Sequence, residues 1–146
     1  AFGNPYGDEW SPHIVAHWSE KLLNEFGINI LSLSDTIGTS NKDSISWLFN
    51  KLIKEFPAVE FGAHLHTTPS TWQEKVKSAV NSNCLRFDTA IGGLGGCPMA
   101  DDDLTGNMAT ENVIDFFNRN NIDHHLNQEA LNDSMRIAND LFENYK

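Results

Sequence analysis

The sequence predicts an α/β fold with parallel strands, and three observations carry that prediction. Apolar residues at helical spacing alternate with short apolar runs along the chain. The segments joining them are brief, and such alternation implies parallel strands with right-handed crossovers. Residues able to do chemistry gather just after each apolar run: Asp35, then His64 and His66, then Cys97 and Asn107. In a β/α barrel that end of the strands is the active-site face. Asn24, Lys54 and Asn81 sit on the opposite loops and form no comparable cluster.

The elements follow in order. Ser11-Pro12 supplies an N-cap and a first-turn proline. Ile14, Val15, Trp18 and Leu22 then make one helical face, and Gly27 offers a left-handed C-cap. Ile28 to Leu33 is a strand running into the loop Ser34 to Gly38. A second helix is marked by Ile45, Leu48, Phe49, Leu52, Ile53 and Phe56 and is stopped by Pro57. Val59 to Leu65 is the second strand. Thr68-Pro69 opens a third helix through Trp72, Val76 and Val80, and Cys84 to Ile91 is the third strand. A glycine-rich loop, Gly92 to Gly106, leads to a helix from about Thr110, and a last amphipathic helix runs from near Asn127. The Trp and Phe residues fall mainly on helix faces and are expected in the core.

A chain of 146 residues fits one domain, and 40% hydrophobic with 21% charged residues is ordinary for a globular one. A single β/α-barrel domain would therefore span residues 1–146, in part. No apolar run approaches the ~20 residues that cross a bilayer, so no membrane partner is expected. A net charge of −10 argues against nucleic acid, which needs clustered Lys and Arg. An anionic substrate would depend on local groups or a metal ion. The start, AFGNPYGDEW, has no basic or apolar leader and no Met, and reads as a chain entered part-way. Cys84 and Cys97 flank the third strand, roughly 20 Å apart at ~3.3 Å per residue, beyond the ~7 Å that a disulfide allows. Two free thiols suit a reducing cytoplasm.

His64 and His66 lie two apart at the end of a strand, so both imidazoles face one way. That spacing suits two ligands on one divalent ion, Zn, Mn, Fe or Mg, with Mg the least natural for nitrogen. Two hydrogen-bonded histidines in a barrel would read the same. His124-His125 are adjacent and are expected at the surface. The run Gly92 to Pro98 lacks the Lys-Ser/Thr of a phosphate loop; it makes a mobile carrier for the Cys97 thiol, which can act as nucleophile or acid/base, or a flexible connector. Asp101-Asp102-Asp103 lacks the alternating spacing of a calcium loop and reads as a solvated turn. Asp35 can contact a substrate or hold the turn that follows it.

Four segments taken together resemble the hydroxymethylglutaryl-CoA lyases, within the family of metal-dependent lyases and Claisen-type synthases built on β/α barrels. They are SLSDTIG (Ser32 to Gly38), GAHLHTT (Gly62 to Thr68), GGLGGCPMA (Gly92 to Ala100) and TGNMATEN (Thr105 to Asn112). The H-x-H is shared with isopropylmalate- and homocitrate-type synthases, whereas the Gly-Gly-Cys-Pro loop favours the lyases. The resemblance implies a partial β/α (TIM) barrel, roughly its last three to four βα units. It implies His64, His66 and Asn107 as metal ligands, Cys97 as catalytic thiol, and Asp35 as an acidic residue beside the substrate. The cofactor implied is a divalent cation, Mg or Mn, and the partners are an acyl-CoA substrate and, in the complete form, further copies of the chain. The chemistry implied is retro-Claisen cleavage; a condensing synthase and a non-catalytic remnant are the alternatives. Two departures stand out. The family usually continues its H-x-H with Asp, where this chain has Thr67, and the Arg-Asp pair of the family's first strand has no counterpart here. Ala1 to Gly3 is the only stub that could precede the three strands.

Overall fold

A computed structural model describes residues 1–97 and 105–143. The elements are α1 (Pro12–Phe26), β1 (Ile30–Asp35), α2 (Lys42–Glu55), β2 (Glu60–Thr67), α3 (Trp72–Asn81), β3 (Arg86–Phe87), a 3-10 turn (Ile91–Gly93), β4 (Gly106–Asn107), α4 (Thr110–Arg119) and α5 (Gln128–Glu143).

Local chemistry accounts for the helix ends. The Ser11 hydroxyl accepts the Ile14 N–H, Pro12 opens α1, and Gly27 closes it at φ 66°. Asn41 caps α2 in a reciprocal box with Ser44. Helix α3 starts later than the sequence suggests, at Trp72, because Thr68 to Thr71 form a turn tied by their own hydroxyls.

β1 and β2 pair in parallel from Ile30↔Glu60 to Asp35↔Leu65, and β3 joins β2 in parallel at Gly62↔Arg86 and Ala63↔Phe87. Alternation sorts the side chains. Leu33, Phe61, Ala63 and Leu65 point to the helices and are buried, meeting Ile45, Leu48, Phe49 and Leu52 of α2, Val76 and Ala79 of α3, and Phe116 and Phe117 of α4. Ser32, Ser34, Glu60, Gly62, His64 and His66 share the other face. This is the layering of a β/α barrel segment.

Four expectations need correction. The third strand is two residues long, not eight. Beyond Ala63 the edge of β2 is taken by another segment, since Met108 N–H donates to the Leu65 carbonyl and His66 pairs with Asn107. That pairing makes β4 antiparallel to β2, so the sheet is not purely parallel. Ala1 to Gly3 forms no strand, although the Ala1 amine donates to the Ser34 carbonyl at 2.6 Å and Phe2 is buried. Among the aromatics, Trp18, Trp47, Phe26 and Phe142 are exposed. Both tryptophans lie on the outer helix layer, where Lys21 and Lys51 sit over their rings.

Among the described residues no helix is long and apolar enough to cross a membrane. Both cysteines are free. The segment Pro98 to Leu104, with Asp101-Asp102-Asp103, lies outside the described residues.

Candidate functional site

Three of the expected residues come together at the carboxyl end of β2. His64 and His66 share a face of the strand, with ring centroids 5.5 Å apart. Asn107 stands directly opposite His66 in the β2–β4 pair, and opposed residues in an antiparallel pair project to the same side. Its side-chain amide N–H donates to the Leu94 carbonyl at 2.7 Å, which leaves the side-chain oxygen as the atom that could serve as a ligand.

The two imidazoles are held differently. His64 Nδ1 lies 3.5 Å from an oxygen of Asp88, whose other oxygen lies 3.5 Å from Arg86. Arg86 in turn donates to the Ser32 hydroxyl at 2.9 Å across Gly62. At 3.5 Å the Asp88 carboxylate is an electrostatic neighbour of Nδ1 and not a hydrogen-bond partner. His66 is buried, and its Nδ1 has no hydrogen-bond partner among the described residues. Burial, and then the neighbouring His64, hold its pKa below the ordinary histidine value. The neutral ring, which is the form that binds metal, is therefore favoured.

An orphaned buried imidazole nitrogen beside a second imidazole and an amide oxygen fits a divalent cation. None of the three is a carboxylate or a thiolate. Among the described residues no group of three His, Cys, Asp or Glu converges on one point, so a carboxylate ligand would have to come from elsewhere.

The glycine loop is built against this corner. Asn107 N–H donates to the Gly95 carbonyl at 3.1 Å. A Cβ on Gly96 would stand 2.8 Å from the Thr105 carbonyl, and one on Gly93 would stand 2.9 Å from that of Asn107. So close an approach leaves no room for a side chain, and φ 64° at Gly93 favours glycine as well. Cys97 follows directly, half-buried.

Asp35 is placed elsewhere. It points to the helix side of β1, and none of it is exposed. Its carboxylate accepts the Ser40 N–H at 3.0 Å and the Ser40 hydroxyl, and it pairs with Lys75 at 2.7 Å. The turn-holding role fits this geometry, and the Asp35 charge is also felt at His66, where it opposes the downward shift. His124 and His125 lie at the surface, beside Asn118 and Asp123.

Sequence reasoning missed Lys75, Arg86 and Asp88. A signal for Lys75 was available, since it stands with Trp72, Val76 and Ala79 at core spacing on α3. A lone charge in such a stripe asks for a buried partner.

Fold and donor set define the class: a segment of a β/α barrel with imidazole and amide donors gathered at the carboxyl end of its strands. The chain belongs to the HMGL-like family, whose profile matches residues 2–138. It is 39% identical over 113 residues to the hydroxymethylglutaryl-CoA lyase YngG of Bacillus subtilis, covering 77% of this chain and 37% of that protein. It is 31% identical over 132 residues to the 3-hydroxy-3-isohexenylglutaryl-CoA/hydroxymethylglutaryl-CoA lyase of Pseudomonas aeruginosa, covering 90% of this chain and 43% of that protein. A crystal structure of the Bacillus subtilis HMG-CoA lyase superposes with a TM-score of 0.83 at 34% identity, over 95% of this chain and 46% of that one. The chain thus spans less than half the length of the relatives it matches.

Proposed function

We propose that this chain is the C-terminal part of a metal-dependent carbon–carbon lyase that cleaves 3-hydroxy-3-methylglutaryl-CoA, or a close analogue, to acetyl-CoA and acetoacetate. The observation that carries the reading is the meeting of His64, His66 and Asn107 at one strand end, with the Gly-Gly-Cys loop packed against Asn107.

His64, His66 and Asn107 would hold a Mg or Mn ion. Such an ion, when bound, supplies Lewis-acid polarisation of substrate oxygens and lowers the pKa of an alcohol. The chain's own residues do the rest. Asp88 lies beside the His64 ring, and burial favours the neutral form of His66. A base takes the proton of the tertiary alcohol; that carbon becomes the ketone of acetoacetate as the carbon–carbon bond breaks. The bonding pair passes to the methylene carbon next to the thioester carbonyl, giving the acetyl-CoA enolate, and a proton added to that carbon gives acetyl-CoA. We assign delivery of that proton to Cys97, at the end of the glycine loop.

Free thiols fit a cytoplasmic setting, and the complete protein would act on an acyl-CoA as a homo-oligomer, with no nucleic-acid partner. The test is acetoacetate release from 3-hydroxy-3-methylglutaryl-CoA by the complete protein with Mg2+ or Mn2+, compared with the same protein plus chelator. No release with either ion, alongside acyl transfer from acetyl-CoA to a 2-oxo acid, would make it a condensing synthase instead.

A further inference from the structure

Lys75 lies in the interior, and with Asp35 it forms the only acid–base pair among the described residues in which both partners are buried. Its ammonium donates to Asp35 Oδ2 at 2.7 Å, to the His66 carbonyl at 2.8 Å and to the Gly38 carbonyl at 2.9 Å. An ammonium has three N–H groups, so every donor is used. The three acceptors belong to three segments: the end of β1, the turn after it, and the end of β2. Each supports the donor set. The His66 carbonyl fixes the backbone that carries the buried imidazole. Gly38 lies under Thr105, whose methyl would stand 2.7 Å from a Cβ placed there, and Thr105 leads straight into Gly106–Asn107. Asp35 in turn gathers Ser40, which fixes the turn on the side of α2.

A buried ion pair is a poor source of net stability, because desolvation offsets its attraction. What three directed bonds from one rigidly placed ammonium supply is geometry. We propose that Lys75 is a positioning residue for the cation site, a three-way tie holding His66 and Asn107 in ligand register from behind the sheet. The inference rests on the proposed reading of those two residues as ligands. It also assigns Asp35 its part, which is to fix Lys75 and neutralise it.

The test uses the complete protein and Mn2+ alone as probe, with binding read by calorimetry and by the electron paramagnetic resonance of free Mn2+. Lys75→Met by itself leaves Asp35 buried and unpaired, and loss of folding is the expected result. The informative variant is Lys75→Met with Asp35→Leu, which removes both charges and keeps apolar volume. It is expected to keep the native circular dichroism while Mn2+ affinity falls at least ten-fold, and Lys75→Arg is expected to recover only part. Affinity within two-fold of wild type in the folded double variant would overturn the proposal. The control separates the two readings: if His66→Ala leaves Mn2+ binding unchanged, the ligand assignment fails and the positioning role with it. If His66→Ala abolishes binding and the double variant does not weaken it, only the role of Lys75 fails.

Discussion

Asn107 lies directly across an antiparallel pair from His66, although the two are far apart in sequence and on different sides of a helix, a strand and a glycine loop. This pairing, and not the H-x-H spacing alone, makes a three-donor corner. Loss of any donor should then show in metal content. His64→Ala, His66→Ala and Asn107→Ala in the complete protein are expected to lower Mn2+ affinity by more than the roughly 10–100-fold typical of an outer-shell partner. Turnover should fall to background in the histidine variants. Unchanged metal content by atomic absorption in both would reject the assignment.

The two thiols differ in what surrounds them. Burial pushes the Cys84 pKa up to about 12, whereas Cys97 is half-buried at the mouth of the glycine loop. Iodoacetamide at pH 8 should modify Cys97 alone in the native protein, read by peptide mass. Cys97→Ala should depress turnover and spare Mn2+ binding; Cys84→Ala should act through packing alone. The sign for stability follows from the raised pKa. The unfolded thiol ionises near its ordinary value while the folded one stays neutral, so stability from Cys84 is complete below about pH 8.5 and is lost as pH rises from there. The urea midpoint should fall between pH 8 and 10, less so in Cys84→Ala.

Gly93→Ala tests how tightly the loop supports Asn107. The left-handed backbone costs an ordinary residue about 1–2 kcal/mol, and the new Cβ would also meet the Asn107 carbonyl at 2.9 Å. Gly7, at φ 75° with nothing within 4 Å, is the control for backbone cost alone. Gly93→Ala should be the more destabilising of the two in chemical denaturation and should weaken Mn2+ binding, while Gly7→Ala should leave binding unchanged. Equal effects would mean that the loop does not bear on Asn107.

The 146-residue chain by itself should be a poor enzyme. Among the described residues β1 is hydrogen-bonded to a strand on one side only, and Ile30 at its start is 53% exposed. An open strand edge templates further pairing, and among the described residues no group of three His, Cys, Asp or Glu could hold a metal ion. Expressed alone, the chain should self-associate in sedimentation velocity, bind Mn2+ weakly and release no acetoacetate. A monomer that cleaves 3-hydroxy-3-methylglutaryl-CoA would refute this expectation.

Much of the molecule was legible before any coordinates. Periodicity located α1, α2 and α5, because an apolar stripe at helical spacing is a local property. The caps at Ser11 and Gly27 were equally local. His64 and His66 were recognisable as neighbours on one face because strand alternation is fixed by the backbone. The short third strand and the exposed tryptophans were not legible. Both depend on what occupies the adjacent space, as Met108 does beside Leu65.

Asp35 shows the boundary most clearly. By itself the sequence determined that a carboxylate follows a strand, that two imidazoles share a face beyond the next one, and that four glycines precede a thiol. It left Asp35 open between substrate and turn. Tertiary structure supplied its partner, by bringing Lys75 from α3 against its carboxylate. Only the folded chain could do so, because a buried charge takes its role from the partner that reaches it, and that partner is set by how helix and sheet pack.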